Sequence, residues 1–392
     1  MSKAPRLRHV APFDGMRGFG VIGVMLGHAL PHDSLSFSAI VDWFFVLSGF
    51  LITTLLLQEH RDTGGVNVRN FYARRMFRLL PGLYAMLAGS AVIGIVIKAT
   101  GHLQGEQTLG NLAKEMVAAA LYVHNIVFPT NNGPWIDHLW TLSIEEQFYL
   151  VIGVLAFLFI ARGRIKLVTW TLVVLVAVIQ LSRLFLVAGP FPQLAGAVWL
   201  QRPDSLMVGM LGAIFSAHLA DPVSAVAKRR LSIAGWAGAV GLFVATWAST
   251  KGHLNLLHLD HPYTPANAVA LLNGGARPSG FYWIQWGNTV ASWSAVAITI
   301  CASRYPEWWP NRFLSLRFFV WTGGLLSYSL YLWHVPIQEL MRAFLPKDLP
   351  WPIWIVLAVA APFAVAYPSY LYIEKRALRF KDRFAVTPNK PT

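Results

Sequence analysis

The chain has 392 residues, of which 55% are hydrophobic and 13% charged. A soluble domain carries about 25% charged residues, so the composition excludes one, and apolar runs of spanning length recur from end to end. The formal net charge of +14 does not point to nucleic acid. The basic residues are spread over short segments between the apolar runs, which is how a membrane protein fixes its orientation.

In chain order, ten spans are predicted, at 14–31, 38–57, 82–98, 139–161, 167–188, 201–219, 231–249, 281–302, 318–340 and 352–373. The first lacks a small-residue cleavage site and leads almost directly into the second, so it reads as a span and not as a cleaved signal peptide. Residues 112–128, "LAKEMVAAALYVHNIVF", carry Lys114, Glu115, His124 and Asn125 and are expected to form an amphipathic or re-entrant helix. Pro81, Pro190, Pro203 and Pro350 fall at span edges, where helices begin or end. With ten spans the connections alternate, and 23 Lys/Arg lie on the side of the termini against six on the other, with Arg17, Arg183 and Arg202 inside spans. That bias puts both termini in the cytoplasm; an eleventh span would scramble it. The expected fold is therefore an all-α, polytopic membrane helical bundle. Residues 1–375 form the membrane domain and 376–392 a basic cytoplasmic tail with a Pro-rich, disordered end. Neither an internal repeat nor an appended soluble domain is expected. The single cysteine, Cys301, excludes an intrachain disulfide and a thiolate metal cluster.

Ionisable groups inside spans are costly and face the bundle interior or a wet cavity. By depth they sort into two layers. The cytoplasmic layer holds Arg17 and the segment "RNFYARRMFRLLPGLY", in which Arg75 and Arg78 share a helix face at i and i+3, as do Arg74 and Arg78 at i and i+4. Paired guanidinium groups suit phosphate; they equally suit anchoring to lipid headgroups, and both readings stand. The outward layer holds His28, Asp42, Glu145, Glu146, Arg183, Arg202, Asp204 and His334. Any one of these reads as a buried pair pinning helices together. Taken as a layer, they read as a polar outward-facing cavity, in which a carboxylate beside an imidazole would make a general base. Glu145 and Glu146 diverge by about 100° on a helix, so Glu145 is expected to face the cavity and Glu146 to pair with a neighbouring helix. The cluster His253, His258, Asp260 and His261 has no metal-ligand spacing of a known kind, and no metal is expected.

Six segments then carry a resemblance that runs from span 1 through span 9. They are Arg17-x10-His28, "DWFFVLSGFLIT" (42–53), "RRMFRLLP" (74–81), "LWTLSIEEQFYL" (139–150), "RPDSLMVG" (202–209) and "SYSLYLWHVPI" (327–337). The chain resembles the acyltransferase-3 family, integral-membrane enzymes that O-acylate sugars and related acceptors, typically as acetyltransferases. The resemblance implies that His28 is the catalytic histidine and that Arg17, Arg75 and Arg78 are needed for activity, through the acyl-CoA donor. Two places depart from the family pattern. Glu374 is followed by Lys375 and not by Pro, and "SAIVD" replaces a glycine-containing turn before Asp42.

The depth map then acquires a use. Acyl-CoA, acetyl-CoA first, is made in the cytoplasm, and a carbohydrate or glycosylated acceptor at the cell surface lies outside the plasma (inner) membrane. Arg17, Arg75 and Arg78 would hold the phosphates of CoA, with the thioester reaching toward His28, ~16 Å along the helix from Arg17. His28 would deprotonate the acceptor hydroxyl or relay the acyl group. Asp42 or Glu145 would orient its imidazole, and His334, Arg202, Asp204 and Ser48 would shape the acceptor site. Ser48 and Gly49 equally suit close helix packing. The alternative from another class is a transporter or flippase of a sugar or lipid-linked intermediate, against which stands the lack of an internal repeat. Acceptor identity, acyl length and oligomeric state are open at this stage.

Overall fold

The structure, a computed structural model, describes residues 10–30, 38–128, 133–155, 159, 162–185, 202–248 and 286–384. Among these all regular structure is helical. The helices are α1 (Ala11–Ala29), α2 (Ser38–Thr63), α3 (Val68–Ala99), α4 (Leu109–Ala120), α5 (Trp140–Leu155), α6 (Ile165–Phe185), α7 (Pro203–His218), α8 (Ala225–Ala248), α9 (Asn288–Arg304), α10 (Ser327–Phe344), α11 (Trp351–Ser369) and α12 (Lys375–Lys381). Each of the ten predicted spans overlaps one of them. Among the described residues four stretches, Ser38–Thr63, Val68–Ala99, Ile165–Arg183 and Trp351–Lys381, are long and apolar enough by themselves to cross a membrane. The cluster His253, His258, Asp260 and His261, Pro190 and the Pro-rich end of the tail lie outside the described residues.

The helix starts follow from local chemistry. Pro203 opens α7 at its first position, and Pro350 is the N-cap of α11; a proline there gives up only an N–H that has no intrahelical partner. Pro81 does not mark an edge. It lies inside α3, which begins at Val68 and runs 32 residues, or ~48 Å. The N-cap Asn67, whose side chain accepts the Asn70 N–H at 3.0 Å, starts that helix more than three turns before the proline. α4, at 12 residues, is ~18 Å long and too short for a ~30 Å hydrocarbon core. It lies against α3 and buries Leu112, Glu115, Ala118 and Ala119 while exposing Lys114, which is the amphipathic arrangement expected from its sequence.

Two apolar cores meet along α1. One gathers Phe13 and Met16 with Val46 and Phe50 of α2, Val208 of α7 and Val296 of α9. The other gathers Val21 and Met25 with Leu83 and Met86 of α3 and Leu330 of α10. In the first, α2 and α7 touch backbone to backbone. A Cβ on Gly49 would strike the Leu206 carbonyl, and one on Gly209 the Val46 carbonyl. Gly49 thus performs the packing role read from sequence. Residues 322–326 and 370–374 form π turns ahead of α10 and α12. Of the tail, residues 376–384 are described. α12 packs on α3, Phe77 stacks with Phe380 and Phe384, and Arg74 donates to the Phe384 carbonyl at 2.7 Å.

Candidate active site

A cavity of ≈ 240 Å³ lies between the two cores. Its wall is drawn from α1 (Arg17, Val24, His28), α2 (Phe45, Ser48), α3 (Arg75, Arg78), α5 (Trp140, Glu145, Tyr149) and α10 (Tyr328, Tyr331), with His138 from the turn before α5. Arg17 and His28 stand near opposite ends of α1, ~16 Å apart along its axis, and both face this one cavity.

At the arginine end, the three predicted guanidinium groups are not equivalent. Arg75 donates through Nε to both oxygens of Glu146, at 2.7 and 3.0 Å, and its Nη2 stands 2.5 Å from that carboxylate. Its guanidinium also lies 3.3 Å over the centre of the Tyr149 ring, a cation–π contact. Glu145 is 4.0 Å from Arg75 and lines the cavity, while Glu146 ties α5 to α3, the division of labour expected for the two neighbours. Arg17 has one long contact, 3.4 Å to Asp14. Arg78 projects into the cavity with no hydrogen bond or ion pair among the described residues. Arg74 turns away and pairs with Glu59 at 3.2 Å.

The two glutamates do not belong to an outer layer separate from the arginines. Because α3 starts at Val68, Arg75 is two turns inside a helix and meets the middle of α5, so the layers read from sequence touch there. Ser48 meets the Tyr149 hydroxyl at this same depth.

The other end of the cavity is lined by His28 and His138, and His334, expected to shape the acceptor site, packs against both rings without lining it. The His28 ring is 4.9 Å from that of His334 and 6.5 Å from that of His138, and His138 and His334 are 4.9 Å apart. His28 Nδ1 is 3.0 Å from the Val24 carbonyl. A carbonyl only accepts, so Nδ1 carries the hydrogen and Nε2 is the basic nitrogen. The end of α1 that bears His28 is held by donors reaching its last carbonyls. Gln338 donates to Met25 (3.1 Å), Arg342 to His28 (2.5 Å) and Trp354 to Ala29 (2.7 Å). His138 was not singled out in sequence, although it immediately precedes a predicted span.

Asp42, Arg202 and Asp204 are placed elsewhere. Asp42 is fully buried, accepts from Arg202 at 3.0 Å and from Ser205 at 2.8 Å, and does not line the cavity or orient His28. Asp204 takes both Nη groups of the buried Arg183, plus Gln180 at 3.2 Å. These groups form a network among α2, α6, α7 and α9, with Ser292 beside Ser205 at 2.7 Å. Arg202 holds a left-handed backbone (φ 50°) as the N-cap of α7, a conformation uncommon for a residue with a Cβ. Its guanidinium lies 5.6 Å over the Trp140 ring, which is part of the cavity wall. Glu374, at the point of departure from the family pattern, is buried and accepts from Ser329 at 2.6 Å.

Among the described residues no group of three or more His, Cys, Asp or Glu is arranged to hold a metal ion.

Comparison with known proteins places this geometry in a family. Residues 10–371 match the profile described as "Acyltransferase domain", acyltransferase 3. A peptidoglycan O-acetyltransferase OatA of Listeria monocytogenes is 27% identical over 428 residues, covering 98% of this chain and 60% of the relative. An O-acetyltransferase OatA of Staphylococcus aureus is 27% identical over 404 residues, with the same coverage of each. The chain thus spans about three fifths of the length of these relatives. No solved structure matches it. With nearly its whole described length inside the matched region, and the quoted motifs lining one cavity or packing directly behind it, the chain belongs to the acyltransferase-3 family.

Proposed function

We propose that the chain is a membrane O-acyltransferase moving an acetyl group from acetyl-CoA, made in the cytoplasm, to a hydroxyl of a carbohydrate or glycosylated acceptor at the outer side of the plasma membrane. The observation that carries this reading is the single cavity joining Arg17 and Arg78 at one end to His28 at the other. Family membership and the two acetyltransferase relatives support it. The topology that goes with it has ten spans and both termini in the cytoplasm, supported by the 23-to-6 distribution of Lys and Arg.

In this reading Arg78 and Arg17, the two guanidinium groups with few partners, receive the phosphates of the donor. Arg75 is committed to Glu146 and Tyr149 and stiffens the wall behind them. The amide-bearing arm of the donor passes Ser48 and Glu145, and the thioester carbonyl comes to rest near His28. His28 Nε2 takes the proton of the acceptor hydroxyl as its oxygen attacks that carbonyl. The C–S bond then breaks, and the leaving thiolate takes the proton back from the imidazolium. The ester, free CoA and the original neutral histidine result. The Val24 carbonyl, holding Nδ1–H, fixes the tautomer and steadies the imidazolium, the role that sequence gave to Asp42 or Glu145.

The test is transfer of labelled acetyl from acetyl-CoA to oligosaccharide acceptors by the purified protein in detergent. His28→Ala, eluting as the wild type on size exclusion, is expected to lose transfer by about 10²–10⁴-fold. Transfer within a few-fold of wild type would overturn the role of His28. Passage of unmodified sugar across vesicles, with no acetyl transfer, would make the protein a carrier.

A further inference from the structure

An imidazole on the last turn of a helix stands where the backbone has least support. The final carbonyls of a helix have no intrahelical donors, and helix ends fray. A general base, by contrast, has to be held within about 0.5 Å of its working position. His28 is the next-to-last residue of α1, and its ring is tied one turn back, to the Val24 carbonyl. Wherever that turn moves, Nε2 moves with it.

The turn is gripped from outside the helix. The Leu30 N–H closes on the Leu26 carbonyl at 2.9 Å, an ordinary helix end. Two of the carbonyls beyond it are taken by side chains of α10 and α11: Arg342 donates to the carbonyl of His28 itself, and Trp354 to that of Ala29. Arg342 is the charged member of this pair. A hydrogen bond from an ionised donor is roughly twice as strong as a neutral one, and a cation at a helix C-terminus offsets the macrodipole.

Arg342 is itself braced. Its other Nη donates to Glu339, three residues back. Its guanidinium lies 5.5 Å over the Trp354 ring, and Gln104 donates to its own carbonyl at 3.3 Å. Glu339 in turn accepts from Gln107 at 2.8 Å. Gln104 and Gln107 belong to the connection between α3 and α4, so three separate segments converge on the peptide that carries His28. Arg342 does not line the cavity.

We infer that Arg342, aligned by Glu339, is a positioning residue for acyl transfer: it fixes the last turn of α1 and, through that turn, the place of His28 Nε2 in the cavity. The inference rests on the reading of His28 as the general base. It gives Arg342 no contact with donor or acceptor and no part in proton transfer. Its loss should therefore slow the chemical step while both substrates still bind.

The experiment is steady-state transfer of labelled acetyl from acetyl-CoA to an oligosaccharide acceptor by purified Arg342→Met, Arg342→Lys and Trp354→Phe. Methionine keeps the aliphatic stem and donates nothing, whereas lysine keeps a charged donor without the planar fork. Arg342→Met is expected to lower kcat by about 10- to 100-fold, the scale of a catalytic group displaced by up to ~1 Å, with the KM for acetyl-CoA and for the acceptor unchanged. Arg342→Lys should recover part of that kcat. Trp354→Phe deletes only the donor to Ala29 and should lower kcat less, and it carries the test if Arg342→Met does not fold. Hydrogen exchange read by mass spectrometry should be faster at the last turn of α1 in Arg342→Met and unchanged in α9. Unchanged kcat in every variant that folds, or a raised KM for either substrate with kcat preserved, would overturn the positioning role. So would equal losses in the Met and Lys variants with faster exchange throughout the protein, the mark of a general loss of stability. Wild-type transfer by His28→Ala, or no transfer by the wild type to any acceptor, would instead overturn the reading on which the inference rests.

Discussion

Arg183 and Asp204 sit at zero exposure on α6 and α7 with each other as partners, and Asp42 and Arg202 complete the same network nearby. Arg78, in the cavity wall, has no such partner among the described residues. By composition the two regions look alike, since both put guanidinium groups and polar side chains into apolar helices. They differ in how their charges are matched. In the network around Asp42 and Asp204 the carboxylates are answered within the protein, and the result is a tie between α2, α6, α7 and α9. Along the cavity the Arg75–Glu146 pair is answered, whereas among the described residues Arg78 and His138 Nδ1 are not. Chemistry is to be sought where polarity is left over, and stability where it is used up.

That contrast can be broken or sharpened by substitution. The largest effect on folding is expected in the network around Asp42 and Asp204. Asp204→Ala alone leaves Arg183 buried and unpaired and should cost about 3–5 kcal/mol, read as loss of monodisperse protein or a lowered unfolding temperature in detergent. The double variant Arg183→Met, Asp204→Leu should recover most of that loss, because well-packed apolar residues replace buried pairs at little cost. If the double variant is as damaged as the single one, the network is not a self-contained tie.

On the cavity side Arg78→Ala should leave stability unchanged and raise the KM for acetyl-CoA by about 10- to 150-fold, the range for a hydrogen bond to a charged group, with the KM for the acceptor unmoved. An effect on the acceptor alone would remove the phosphate role. Arg75→Ala should behave differently and lower the unfolding temperature, since it strands Glu146. Gly209→Ala, which pushes a methyl group at the Val46 carbonyl, should cost about 1–3 kcal/mol. The smallest effect is expected from Ser205→Ala, about 1 kcal/mol for the loss of one hydrogen bond to Asp42 while that from Arg202 remains.

Much of this was legible in the sequence. Helix class, the rough position of the long described helices, the amphipathic α4, the shared cavity of Arg17 and His28, and the opposite duties of Glu145 and Glu146 follow from hydropathy, spacing and the 100° step. What failed was depth. A proline at position 81 was read as a boundary, which pushed Arg75 to the rim of its helix. The N-cap at Asn67 starts the helix earlier and brings Arg75 to the level of Glu146. Partner choice was also hidden: nothing local says that Asp42 will find Arg202, 160 positions away, before it finds His28. His138 escaped because it stands just outside the apolar run that it serves.

The π turn at Thr322–Leu326 sets the rotational phase of the helix that follows. A π turn accommodates one residue more than an α turn, and each residue advances a helix by about 100°. The azimuth of Tyr328, Tyr331 and His334 about the α10 axis is therefore fixed upstream, in "TGGLL". Removing a single residue there would swing all three through about a quarter turn, leaving every hydrophobic span intact while aiming the histidine away from its neighbours.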